Sequence, residues 1–218
     1  MTQSKGFRFI GITGGVGAGK STILSYIRGN YPCEIYLADE VAHEVKKAGT
    51  PCFQALAELL GEDALGEDGE IHKGRMAAKI FADGTLLERV NAIIHPAVKN
   101  YLLERLHEAK KSGKVRFFFV EAALLIECGY GELVDEMWYV YADESVRKKR
   151  LMENRGYSEE KVAQIMAAQL SEEEFRRASD FVIDNGGAPE KAYAQIDARL
   201  VGLGIEKTKT ERMENRLS

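Results

Sequence analysis

Cysteine is scarce in this chain: only Cys33, Cys52 and Cys128 occur among 218 residues. They are odd in number, far apart and without a C-x-x-C pair, which excludes a disulfide framework and gives no zinc-type ligand set. The three read as small apolar fillers. Charge of one sign is also lacking, since 30 Lys and Arg stand against 34 Asp and Glu for a formal net charge of -4. An overall basic footprint for nucleic acid is therefore absent, and any basic site must be local. No uninterrupted apolar run is long enough to cross a bilayer. The opening "MTQSKGFRFI" has neither the apolar core nor the small-residue cleavage site of a secretory signal. The expected setting is cytoplasmic, with no nucleic-acid or membrane partner and an oligomeric state the sequence does not define.

What is present is ordinary globular composition, 45% hydrophobic and 29% charged, organised as strand-like runs alternating with helix-period segments. The strand-like runs cover 7–13, 34–37, 115–120, 137–141 and 181–183. The run "VRFFFV" is apolar on consecutive positions, as expected of a central strand buried on both faces. Helical patterns cover 20–28, 39–47, 51–60, 75–81, 86–94, 97–111, 145–153, 159–169, 172–178 and 189–203. This alternation predicts an α/β fold, a five-stranded parallel sheet flanked by helices. The expected organisation is one domain over 1–205, with a helical insertion at 40–114, a helical lid at 145–178 and a polar tail at 206–218.

The chemistry is concentrated in "FIGITGGVGAGKST", which contains G-x-x-x-x-G-K-[ST] between an apolar run and the amphipathic "KSTILSYIR". In such a P-loop, backbone N–H groups turn inward around phosphate oxygens and the following helix aims its positive end at them. Gly15, Val16, Gly17, Ala18, Gly19, Lys20, Ser21 and Thr22 are the expected nucleotide-binding residues. Lys20 would reach the β- and γ-phosphates and Ser21 would ligate Mg²⁺. A GTPase should also carry N-K-x-D, and no such tetrapeptide occurs. The size and the inserted helices instead favour a small-molecule kinase using ATP.

Asp39 in "YLADEVAHEV" follows the second strand, where ligands of open α/β sheets collect. It suits either a base that accepts a hydroxyl proton and helps arrange Mg²⁺, or a helix N-cap. Glu121, ending the "FFFV" run, reads either as an acid orienting Mg²⁺ through water or as a plain strand end. Asn185, in "NGG" after the last strand, borders the nucleotide or simply makes a turn. His95 before Pro96 reads as structural, and Phe117, Phe118, Phe119, Trp138 and Tyr139 as core.

The segments "GGVGAGKST", "ADEVAHEV", "AGTP", "IIHP", "LLIE", "AAQLS" and "SDFVIDNGG" occur in this order along the chain up to about residue 203. In that order and spacing the chain resembles the dephospho-CoA kinases. The resemblance implies transfer of the ATP γ-phosphoryl group to the ribose 3′-hydroxyl of dephospho-CoA, the last step of coenzyme A synthesis, with dephospho-CoA and ATP as partners. It also implies a base role for Asp39 and a lid role for the basic helix after the fourth strand. The alternatives are a P-loop kinase for another small acceptor, such as a nucleoside or nucleotide, and a non-catalytic ATP switch.

The chain departs from the usual family pattern at Leu37, Lys73, Ala123 and Asn154. The last of these stands where a lid arginine is expected, four residues after Arg150. Asn154 and Gly156 together suit a helix end. The expectation is that Arg155, in the turn beyond, swings back over the phosphates beside Arg150, while Arg147 and Arg150 share a helix face.

Overall fold

The strand and helix patterns become five strands and nine α-helices among the described residues of the computed structural model, which cover 6–204 and Lys207. In chain order these are β1 (Arg8–Thr13), α1 (Lys20–Asn30), β2 (Cys33–Leu37), α2 (Ala38–Glu44), α3 (Pro51–Leu60), α4 (Lys73–Ala82) and α5 (Leu86–Ser112). They continue as β3 (Phe117–Glu121), β4 (Glu136–Tyr141), α6 (Glu144–Arg155), α7 (Glu159–Ala167), α8 (Glu172–Arg177), β5 (Phe181–Asp184) and α9 (Pro189–Gly202). Most of the expected tail at 206–218 lies outside the described residues. Lys207 is described, and its ammonium meets Asp197 at 2.7 Å and the Tyr26 hydroxyl at 2.8 Å. The chain divides into two compact units, one of Met1–Ile35 with Ala109–Ser218, the other of Tyr36–Glu108.

The first unit is built on a sheet of order β2-β3-β1-β4-β5. β1 pairs in parallel with β3 and β4, and β4 with β5. The register puts Ile12 beside Glu121 and Thr13 beside Tyr139, so the carboxyl ends of β1 and β3 come out together. Two aspartates hold the amino ends, Asp135 accepting the Phe9 N–H and Asp180 the Met137 N–H, each at 2.7 Å. Such charge-assisted bonds are among the stronger ones. Phe117, Phe118, Phe119 and Val120 are all fully buried, which is why β3 is apolar without alternation. α1 buries Ile23, Leu24 and Ile27, and α9 buries Ala192, Ile196 and Leu200, one face of each helix.

The second unit is helical. Thr50 caps α3 through the Phe53 N–H at 3.0 Å, Pro51 takes the first helical turn, and Gly61 at φ 82° ends the helix. The segment "GEDALGEDGE" contains a 3₁₀ turn at Glu62–Ala64, and its Leu65 bridges to Ile71 just beyond it. Two helices were expected around Pro96, but α5 runs through it unbroken. Val90, Val98, Leu102, Leu106 and Ala109 form one buried stripe across the proline, whereas Pro96 itself is exposed. The ring and the missing N–H thus fall on the solvent side, where they cost least. His95 beside it is exposed as well.

All three cysteines are free. Burial pushes the Cys33 thiol up to about 11 and raises those of Cys52 and Cys128, so they pack as weak hydrophobes and not as thiolates. No helix among the described residues is long and apolar enough to cross a membrane.

Phe119 is fully buried and packs edge-on to Trp138 at 5.8 Å. Phe119→Ala should therefore destabilise the protein by ~3–5 kcal/mol. Urea unfolding should show this as a lowered midpoint with unchanged slope.

Candidate active site

At the carboxyl end of β1 the chain passes directly into the P-loop and then α1. Gly19, at φ 89°, makes the left-handed turn that starts α1, and no side chain caps the helix. The Thr22 and Ile23 N–H groups bond back to the Gly19 carbonyl at 3.1 and 3.3 Å. The first N–H groups of a helix have no intrahelical partner, and together with the helix dipole they suit an anion. Ser21 is exposed in this first turn. The Lys20 ammonium donates to the Gly14 carbonyl at 2.7 Å and lies 3.5 Å from the Glu121 carboxylate. Glu121 is therefore more than a strand end, since the β1–β3 register delivers its side chain to the P-loop lysine.

The loop is held from outside by residues far along the chain. Gln169 Oε1 accepts the Val16 N–H at 3.2 Å and also the Arg147 Nη2 at 3.3 Å. Asn185, only 3% exposed, donates its side-chain amide to the Ala18 carbonyl at 2.7 Å. Arg150 Nη1 lies 3.4 and 3.3 Å from the Gly17 and Ala18 carbonyls, and its Nη2 donates to the Asn185 carbonyl at 2.9 Å. Local sequence places each of these. Asp143 caps α6 by accepting the Ser145 N–H at 2.8 Å, and Ser158 caps α7. A Ser171–Glu174 capping box starts α8 just after Gln169.

A glycine loop with an adjoining lysine, hydroxyl and carboxylate marks a phosphate site but not its acceptor. A family model described as dephospho-CoA kinase matches residues 8–190. The chain belongs to the dephospho-CoA kinase family. It is 38% identical over 188 residues to the dephospho-CoA kinase of Geobacter sulfurreducens, covering 86% of this chain and 94% of that one. A solved structure, TT1252 from Thermus thermophilus, is 30% identical with a TM-score of 0.75, covering 91% of this chain and 99% of the other. Dephospho-CoA kinase from Campylobacter jejuni shares the fold at 21% identity, with a TM-score of 0.64 and coverage of 89% and 95%.

For this member of the dephospho-CoA kinase family, three local readings change. Arg155 is not in a turn beyond the helix; it is the last residue of α6, and it is exposed. Gly156, at φ 62°, is the residue that can adopt the left-handed cap, and the Gly156 and Tyr157 N–H groups bond back to Met152 and Leu151 at 3.1 and 3.4 Å. Helical register thus still dictates the direction of Arg155, ~140° around the axis from Arg150 at 3.6 residues per turn. The alternative of Asp39 as an N-cap also falls, because Leu37 occupies the N-cap position of α2 without any side-chain cap bond. Asp39 lies in the first helical turn in the second unit, exposed. Asn185 is not a plain turn residue, since its amide is committed to the P-loop.

Gln169 is the residue that sequence reasoning passed over. It was visible only as a letter in "AAQLS", and nothing in its spacing announces a bond to Val16. Near Lys73, which opens α4, Arg75 is engaged within the second unit by the Leu65 carbonyl.

Asn185→Ala would leave the buried Ala18 carbonyl with only the longer Arg150 contact at 3.3 Å, a loss of about 0.5–1.5 kcal/mol. Thermal melts should show the loss of stability. Calorimetric titration should show weakened ATP binding in protein that remains folded at the assay temperature.

Proposed function

We propose that the protein transfers the γ-phosphoryl group of ATP to the ribose 3′-hydroxyl of dephospho-CoA, giving coenzyme A and ADP. The observation that carries this reading is the P-loop lysine set beside a strand-end carboxylate in a chain of this family. The 3′-oxygen attacks the γ-phosphorus, the bond from that phosphorus to the β,γ-bridging oxygen breaks, and ADP leaves with the electron pair. Asp39 receives the hydroxyl proton. Its exposure and its freedom from any capping duty support that role. Lys20 neutralises phosphate oxygens as charge moves toward the leaving group. The loop of residues 15–22 cradles the phosphates. Asn185 keeps that cradle in shape at the nucleotide side.

Mg²⁺ is part of the proposal. Its preference for a few hard oxygens, retained waters and phosphates fits the Ser21 hydroxyl, with Asp39 or Glu121 acting through water. When bound it neutralises β- and γ-phosphate oxygens. The helices of residues 40–114 would serve the acceptor and those of 145–178 would form a lid, with Arg150 bracing it to the P-loop carbonyls. Three unpaired thiols suit a reducing, cytoplasmic compartment.

ADP release measured with a panel of acceptors tests the reading. Dephospho-CoA should be preferred over nucleosides and nucleotides, with Lys20→Ala folded but inactive. Preference for another acceptor, or activity of folded Lys20→Ala, would refute it.

The base role is tested separately. Asp39→Asn keeps the shape but removes the charge, and should lower kcat ~10²-fold or more with little change in melting temperature. Normal kcat in this variant would remove Asp39 from the mechanism.

A further inference from the structure

We propose that Arg147 is the lid cation that meets the transferring phosphoryl group, and that Gln169 is the residue that positions it. This rests on the phosphoryl-transfer reading above. Three arginines of α6 compete for the role. Arg155 is directed away by the helix, and Asn154 supplies no charge. Arg150 spends both terminal nitrogens on the carbonyls of Gly17, Ala18 and Asn185, which makes it a brace in this arrangement.

Arg147 is placed differently. A Cβ added at Gly15 would lie 2.5 Å from its Nη1 and 2.6 Å from its Cζ, so the guanidinium rests directly on the P-loop backbone where only a hydrogen fits. Its Nη2 is held by Gln169 at 3.3 Å, and its buried Nε has no hydrogen-bond partner among the described residues. A planar cation pressed on the loop with a donor unspent is suited to phosphate oxygens.

The chemistry of the holder matters. Gln169 Oε1 bridges the Val16 N–H and Arg147, tying the orientation of the cation to the loop itself. A neutral amide oxygen orients a guanidinium without neutralising it. A carboxylate in its place would accept both bonds equally well but would form an ion pair and cancel the charge offered to phosphate. The residue type is therefore what a positioning role requires, whereas a purely structural tether would tolerate either.

That difference defines the test. Turnover is measured at saturating ATP and dephospho-CoA for wild type, Arg147→Ala, Arg147→Lys, Gln169→Glu and the double variant Arg147→Ala/Gln169→Glu, each checked for a cooperative melt. Arg147→Ala should lower kcat by at least ~10²-fold, as for arginines that stabilise phosphoryl transfer, with KM for ATP changed much less. Arg147→Lys, the fallback if the alanine variant does not fold, should still lose at least ~10-fold because lysine lacks the planar fork. Gln169→Glu should keep its melting temperature yet lose ~10-fold or more in kcat, and the double variant should be no worse than Arg147→Ala. Normal kcat in folded Gln169→Glu, or in either Arg147 variant, overturns the inference. An inactive wild type would instead refute the proposed function, so the two failures are distinguishable.

Discussion

The site depends on one constraint: a glycine-rich loop must hold its N–H groups toward an anion although its own residues supply almost no side chains to fix it. Gly15 bonds to Ala18 across the loop at 3.1 Å, and the Lys20 ammonium reaches back to Gly14. The remaining support comes from elsewhere. Gln169 holds Val16, Asn185 holds Ala18, and Arg150 ties the carbonyls of Gly17 and Ala18 to that of Asn185. The carbonyls of Gly14, Gly15, Gly17 and Ala18 and the amides of Val16 and Ala18 are thereby occupied, which leaves other loop amides for phosphate.

These supports depend in turn on the sheet. Asn185 is delivered by β5, whose neighbour β4 accepts the Asn185 N–H through Tyr141 at 2.8 Å. Arg147 and Arg150 ride on α6, which leaves β4 through the Asp143 cap. Glu121 arrives by the register of β3 against β1. An aromatic core of Phe117, Phe119 and Trp138, all fully buried, fixes those strands. A protein whose net charge is -4 thus gathers local positive charge at the carboxyl end of its central strand. Cations there act in a partly dehydrated setting, where each is worth more than in water.

Much of this was legible in the sequence, for identifiable reasons. The P-loop spacing and the alternation of apolar runs read directly, because turn chemistry and strand periodicity are local. Bounds failed where a neighbour decided them. Pro96 looked like a helix break, but the buried stripe on either side of it carries α5 through. Asn154 and Gly156 together suit a helix end, but only Gly156 takes the left-handed position, two residues after Asn154, which leaves both Asn154 and Arg155 in the helix. The partners of Asn185, Gln169 and Arg147 were not legible at all. They join residues 153, 167 and 22 positions apart, and no local pattern encodes such pairings.

The nucleotide loop is held in its receptive shape before any ligand arrives, by side chains from the far end of the chain. Amide hydrogen exchange of residues 14–20 in nucleotide-free protein measures this directly, comparing wild type with Asn185→Ala and Gln169→Ala. Exchange should be faster in both variants, with the increase confined to the loop and residues 23–27 of α1 as protected as in wild type. Loop exchange identical in all three proteins would contradict that hold.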